Sequence, residues 1–201
     1  MSEIFFTSDT HFCHSQPFLY EPRGFSSVEE MNETIIERWN KVIKSEDIVY
    51  HFGDTMLNNN EKGIECFKRL NGKIFLIFGN HDTDMRKNLL FSECSNKICG
   101  GWYAYLIKYN KLNIYMSHYP TLTANYDEKH FSQHVLALHG HIHSTTPWIN
   151  LKNPFVYDVG MDAHNCTPVH IDEVIADIRQ RWINIGQLPI SVKPEDIYPY
   201  N

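Results

Sequence analysis

Residues 73–82 read KIFLIFGNHD. The first six form a short, mostly apolar run that stops at Gly79, which is the pattern of a buried strand. An amide, an imidazole and a carboxylate follow the glycine at once. In an open α/β sheet the loops that follow the strands converge on one crevice, where ligands bind. This stretch therefore predicts an α/β fold with a polar site at the edge of its sheet.

The same pattern, a short apolar strand that ends at polar residues, occurs at four other places along the chain. These strands are predicted at residues 3–8, 47–52, 112–117 and 135–138. The polar side chains that follow the five strands are Asp9, His11, Asp54, Asn80, His118, His141 and His143, with His81 as a further imidazole. Because the loops at one sheet edge converge, we expect these side chains to lie close together.

Helical patterns separate the first strands. Ser27-Val-Glu-Glu30 offers a capping box, and the apolar residues behind it keep helical spacing over residues 28–44. A second helix is predicted near residues 61–70, and a last helix carries Val174, Ile175, Ile178 and Trp182. Alternating strands and helices imply an open sheet with helical crossovers. Further along, residues 101–109 and 112–117 predict a hairpin.

The composition is that of an ordinary globular protein. The chain has 201 residues, of which 42% are apolar and 21% charged, so disordered and fibrous classes are excluded. This length favours a single domain over residues 1–201, with a proline-containing tail of about residues 186–201 that is expected to wrap the surface. The net charge of −6 does not support a large nucleic-acid surface, and the sequence has no apolar run of about 18 residues that could span a membrane.

The cysteines and the N-terminus predict a cytoplasmic location. Five cysteines, an odd number without a Cys-x-x-Cys pair, indicate free thiols in a reducing compartment. The first residues lack the basic and long apolar regions of a secretory signal peptide.

The polar residues at the strand ends form a donor set that suits metal ions. Together they supply two carboxylates, four imidazoles and one amide oxygen, with the imidazole of His81 to spare. Mixed nitrogen and oxygen donors of that number suit two first-row divalent cations, and suit neither calcium nor a thiolate zinc site. We expect manganese, with iron, zinc or nickel as alternatives, because affinity follows the general divalent order and cellular supply.

Taken in order, these motifs resemble those of the calcineurin-like metallophosphoesterases. The resemblance covers residues 4 to about 164, and its blocks are Asp9-Thr-His11, Gly53-Asp54, Gly79-Asn-His-Asp82, His118 and Gly140-His-Ile-His143. It implies a four-layer α/β/β/α sandwich of two mixed sheets flanked by helices, with a dinuclear site along one edge. The ligands that it implies for one metal are Asp9, His11, Asp54 and His143, and for the other Asp54, Asn80, His118 and His141. Asp54 would bridge the two metals, and His81 would not be a ligand.

The chemistry expected of such a site is hydrolysis of phosphate esters. Two cations that share a carboxylate bind a bridging water and lower its pKa, so that the hydroxide attacks phosphorus in line. The leaving oxygen needs a proton, and His81 is the free imidazole nearest the ligands in sequence. His14 and Arg23, in the long first loop, are candidates for contact with the substrate phosphate or the leaving group. Asp82 is expected either to orient His81 or to cap the next segment.

Small, nucleotide-like phosphodiesters or phosphomonoesters are the expected substrates. Protein serine/threonine phosphatases of the family continue the second block as Gly-Asp-x-Val-Asp-Arg-Gly, whereas here residues 53–59 lack that arginine. One alternative is a nuclease that acts on short oligonucleotides. Another is a non-catalytic metal-binding interaction module, which the complete set of ligand residues disfavours. The sequence does not define the oligomeric state.

Overall fold

The computed structural model describes residues 2–123, 130–149 and 153–186. The elements are β1 (Ile4–Thr7), α1 (Pro17–Tyr20), α2 (Val28–Val42), β2 (Ile48–His51), α3 (Asn60–Lys68), β3 (Lys73–Ile77), α4 (Asp84–Glu93), β4 (Ile98–Trp102), β5 (Ala104–Tyr109), β6 (Leu112–Ser117), β7 (Val135–His139), β8 (Val156–Asp158), β9 (Val169–His170) and α5 (Ile171–Gly186). The predicted surface tail lies outside the described residues from residue 187 on. Among the helices described, none is long and apolar enough to cross a membrane.

The first sheet contains the strands predicted at residues 3–8, 47–52 and 73–78, together with two further strands. Its order is β4-β3-β2-β1-β9, with the first four strands parallel and β9 antiparallel to β1. Helices α2, α3 and α4 cover one face, where Phe5, Val49 and Ile74 of the sheet are buried with Met31 and Trp39 of α2. The predicted cap forms as well, because the Ser27 side chain accepts the backbone N–H of Glu30 at 3.1 Å. Helical crossovers therefore set the parallel strands so that their carboxyl ends share one edge.

The second sheet faces the uncovered side of the first. Its order is β5-β6-β7-β8, with an antiparallel hairpin followed by two parallel pairings. The hairpin turns at Asn110 and Lys111, which both adopt positive φ values of 46° and 70°, as a two-residue turn requires. Between the sheets, residues such as Phe6, Phe52 and Leu138 are buried together with the apolar face of α5. The expected α/β fold of two mixed sheets flanked by helices is confirmed.

The prediction of one continuous strand over residues 101–109 is wrong. The chain leaves the first sheet at Trp102, which pairs beside Ile77, and enters the second sheet at Ala104, which pairs with Ser117. Only Tyr103 separates the two strands, and it is 70% exposed. Apolar periodicity reports burial and not which sheet a strand joins, so a change of sheet within one residue leaves no signal.

Some short or weakly patterned elements were also absent from the prediction, namely α1, α4, β4 and β9. Helix α1 has only four residues, too few to show helical spacing. Helix α4 has a single buried residue, Leu90, and therefore presents no apolar stripe.

Candidate metal centre

The loops that carry the polar motifs meet at the carboxyl ends of β1, β2, β3, β6 and β7, as the sequence predicted. The backbone there is strained, because five non-glycine residues that were predicted to bind metal have positive φ. They are Asp9 (58°), His11 (45°), Asp54 (53°), His141 (75°) and His143 (49°). Such residues cost on the order of 1–3 kcal/mol each and persist where the surrounding structure fixes them, typically at functional sites.

The predicted ligand residues form two groups in space. Asp9, His11 and His143 present one donor atom each within 4.8 Å of one another, and so do Asp54, His118 and His141. Carboxylate oxygens and imidazole nitrogens gathered at this distance fit one divalent cation per group.

Asp54 belongs to the second group and also approaches the first. Its Oδ2 atom is 3.6 Å from His11 Nε2 and 3.5 Å from His118 Nε2, while its Oδ1 accepts the backbone N–H of His81 at 2.8 Å. Burial raises the pKa of this carboxyl group above its ordinary value, so its ionised form requires positive charge nearby. A carboxylate with one oxygen facing both groups can be shared by two cations.

Buried atoms in the first group lack the partners that burial normally demands. Asp9 Oδ1 and both ring nitrogens of His11 have no hydrogen-bond partner among the described residues. Burial, followed by the charge of His143, holds the pKa of His11 well below its ordinary value, which keeps the imidazole neutral and its lone pair available. Unpartnered buried polar atoms are costly, and a cation would satisfy Asp9 and His11 together.

The second group contains an imidazole whose tautomer is fixed by the backbone. His118 Nδ1 donates to the carbonyl oxygen of Phe52 at 2.6 Å, so Nε2 presents its lone pair to the site. The Nε2 atom lies 2.8 Å from Asn80 Oδ1. Both atoms are acceptors, and a cation bound by both would satisfy them. Asn80 thereby joins Asp54, His118 and His141.

Two glycines of the motifs allow these close approaches. A Cβ atom on Gly79 would overlap Asp54 Oδ1, and one on Gly140 would overlap Asp9 Oδ2. Gly140 also precedes His141, whose backbone N–H donates to Asp9 Oδ2 at 2.9 Å. The glycines are therefore needed because the loops pack against the carboxylates.

A largely buried carboxylate, that of Asp162, orients His143. Asp162 Oδ2 accepts from His143 Nδ1 at 2.9 Å, which leaves Nε2 for a cation, and a carboxylate in this position is the usual support of a metal-binding histidine. Arg23 holds Asp162 in turn, through Nε to Oδ1 at 3.0 Å and Nη2 to Oδ2 at 2.7 Å. Burial alone would raise the pKa of the Asp162 carboxyl group. The hydrogen bonds from His143 and Arg23 outweigh burial and hold this pKa well below its usual range.

The sequence suggested that Arg23 contacts the substrate, whereas the structure places its side chain in the interior, bonded to other residues. Its side chain is 1% exposed, and besides binding Asp162 it donates to the backbone oxygen of Asp9 at 2.8 Å. The guanidinium ties the first loop to the loop that carries Asp162 and has no exposed face to offer a phosphate. Sequence reasoning missed Asp162, since no motif marks it and its partner Arg23 is 139 positions away.

We expect Asp162→Ala to weaken metal binding at the first group by about 10- to 100-fold, the usual effect of losing such a support. The variant should also lose about 3–5 kcal/mol of stability, because a buried guanidinium is left without its partner. Competition with a chromophoric chelator measures the first effect and urea unfolding the second. Glu33→Gln, which breaks the exposed Glu33–Arg69 pair, is the control and should cost at most about 1 kcal/mol. Unchanged metal affinity in Asp162→Ala would contradict the orienting role.

The remaining predicted residues line the cleft beside the two groups. His81 belongs to neither group of donors; its side chain is 42% exposed, and its Nε2 lies 4.0 Å from Asp54 Oδ2. The His14 ring is buried with its centroid 5.5 Å from that of His11. Both side chains face the cleft, and their roles in the reaction stay predictions.

Asp82 does something that neither sequence interpretation anticipated. Its carboxylate accepts the backbone N–H groups of Asp54 at 2.9 Å, Thr55 at 3.1 Å and Gly79 at 2.8 Å. The helix that follows is capped instead by the side chain of Thr83. Asp82 thus joins the loops after β2 and β3 and fixes Asp54 in place.

This chain is similar to several known proteins. The family model described as calcineurin-like phosphoesterase matches residues 2–186. The uncharacterized protein MJ1445 of Methanocaldococcus jannaschii is 35% identical over 183 residues, which cover 87% of this chain and 90% of that protein. The Gene 66 protein of Mycobacterium phage D29 is 26% identical over 203 residues, covering 90% and 99%. The crystal structure of AQ665 from Aquifex aeolicus, a protein of unknown function, shares the fold, with a TM-score of 0.67, 22% identity and coverage of 88% and 99%.

Proposed function

Because this chain belongs to the calcineurin-like phosphoesterase family, we propose that it is a metal-dependent hydrolase of small, nucleotide-like phosphodiesters, with phosphomonoesters as a second class of substrate. The observation that carries this proposal is the position of Asp54. One oxygen of its carboxylate lies 3.6 Å from His11 Nε2 of the first candidate group and 3.5 Å from His118 Nε2 of its own, second group.

The proposed ligands follow the two groups. Asp9, His11, Asp54 and His143 would hold one cation, and Asp54, Asn80, His118 and His141 the other. Two divalent cations held there would supply an activated water and positive charge for the phosphoryl oxygens. Manganese is the proposed metal, with iron, zinc or nickel as alternatives, because all of them accept this nitrogen and oxygen donor set.

The protein's own residues position the reaction. Asp82 and the His81 N–H hold Asp54, and the Arg23–Asp162 pair holds His143. These contacts fix the site before substrate arrives, which lowers the reorganisation that the reaction requires.

His81 is the proposed proton donor to the leaving oxygen. Its half-exposed ring faces the cleft, and its Nε2 lies 4.0 Å from Asp54 Oδ2. An imidazole in this position can deliver a proton from Nε2 to an ester oxygen that departs into the cleft.

Hydrolysis should depend on added metal. We expect the full chain, stripped with chelator and reloaded with Mn²⁺, to hydrolyse bis(p-nitrophenyl) phosphate and, more slowly, p-nitrophenyl phosphate. Release of nitrophenolate measures the rate. Activity should disappear on adding chelator and return with excess metal. A folded, metal-loaded protein that hydrolyses no phosphoester in a broad screen would contradict the proposal and favour an interaction module.

A further inference from the structure

Two exposed aromatic rings stand beside the metal-binding groups, one next to each group. Phe18 is 72% exposed and Tyr119 is 52% exposed. Solitary exposed apolar side chains are common and need no explanation. These two differ because each packs against a histidine of the site.

Phe18 adjoins the first group. Its ring centroid lies 5.4 Å from that of His14, and the His14 ring lies 5.5 Å from His11. Helix α1 anchors the backbone at this position, because the neighbouring Leu19 is buried in the core and its N–H donates to the Gln16 carbonyl oxygen. Phe18 thus forms part of the cleft wall that also contains Asp54 and His81.

Tyr119 adjoins the second group. Its ring packs edge-on against His141, with centroids 4.7 Å apart, and against His118 at 5.2 Å. The two aromatic rings therefore adjoin different groups, and Asp54 Oδ2 approaches both of these groups, at His11 and at His118.

The cleft offers little to a chain of phosphates. None of its described lining residues is a lysine or an arginine, and the nearby Arg23 is committed to Asp162. Beyond the scissile phosphate, the wall that includes Phe18, Leu19 and Pro22 is apolar. This wall suits an uncharged planar group better than a second phosphate.

We propose that Phe18 and Tyr119 determine the substrate specificity of this site, each stacking on a nucleobase carried by one of the two ester arms of a phosphodiester. The inference rests on the proposed phosphoesterase activity and names its substrate class, a diester of two nucleosides. A phosphodiester has two arms that diverge from phosphorus, which matches one ring beside each metal-binding group. Stacking of a base on an aromatic side chain contributes about 5- to 150-fold to affinity.

Four dinucleotides test this arrangement with the Mn²⁺-loaded full chain. They are thymidylyl-thymidine, the two analogues in which one thymidine is replaced by an abasic tetrahydrofuran nucleoside, and the analogue with both replaced. Their sugar alcohols have similar pKa values, so differences in kcat/KM report on the bases. We expect removal of either base to lower kcat/KM by about 5- to 150-fold.

Variants then assign each base to a ring. In Phe18→Leu, removal of one of the two bases should no longer lower kcat/KM, and in Tyr119→Leu the same should hold for the other base. Phe18→Trp should still lose kcat/KM when the base that stacks on residue 18 is removed. Tyr103→Leu, which removes a ring about as exposed as Phe18 that packs against Phe78, is the control and should leave all four rates unchanged.

The outcomes separate this inference from the proposed function. Equal rates on all four dinucleotides, or hydrolysis of nitrophenyl esters but of no dinucleotide, would overturn base stacking while leaving the phosphoesterase intact. Leucine variants that retain the wild-type sensitivity to both bases would also overturn it. A metal-loaded protein inactive on every ester would overturn the proposed function and this inference together.

Discussion

Asp54→Ala is expected to release both metal ions and to abolish hydrolysis. The Asp54 carboxylate is the one group in the described site whose oxygen approaches the nearest histidine of each metal-binding group, at 3.6 Å and 3.5 Å. Metal content should fall from about two ions per chain towards zero. The rate should fall by more than the 10²–10³-fold that follows loss of a single electrostatic contact.

Elemental analysis of purified variants measures this effect. Asn80→Ala should weaken mainly one ion, because Asn80 contacts only the second group, at His118. Asp84→Ala, which removes an exposed carboxylate outside the site, is the matched control and should keep both ions. Since Asp54 Oδ1 also accepts the His81 N–H, Asp54→Asn distinguishes loss of charge from loss of that hydrogen bond. Near-wild-type metal content in Asp54→Ala would remove the bridging assignment.

His81→Ala should separate chemistry from metal binding. The His81 ring faces the cleft outside both groups of donors, so metal content should stay near the wild-type value. Loss of a general acid typically lowers the rate by 10²–10⁴-fold, and we expect kcat to fall by about that factor on nucleoside esters.

The dependence on the leaving group identifies the cause of the loss. A ribose alkoxide needs a proton in order to leave, whereas nitrophenolate leaves without much help, so nitrophenyl esters should lose less activity. Steady-state rates on both ester types, with elemental analysis of the same samples, provide the measurement. Loss of a metal, or an equal loss on both esters, would show that His81 is a ligand or a structural residue.

Local sequence patterns were sufficient to predict the main strands and helix α2. Strands such as residues 73–77 are short apolar runs that end at glycine or polar residues, and this pattern follows from burial of the strand and exposure of its end. The capping box at Ser27 and the apolar stripe of α2 are equally local. Because strand ends converge in an α/β sheet, the sequence also identified the residues that the fold brings together at the site.

The contacts that hold those residues in place depend on the three-dimensional fold. The Arg23–Asp162 pair joins positions 139 apart. Asp9 and His11 have positive φ values in a loop whose backbone N–H groups donate to Gly53 and Asp54 of another loop. Likewise, nothing local distinguishes Phe18 from other exposed aromatic residues until α1 places its ring beside His14. Periodicity reports which side chains are buried, whereas these features depend on which distant segments meet, and a single sequence carries no signal for such contacts.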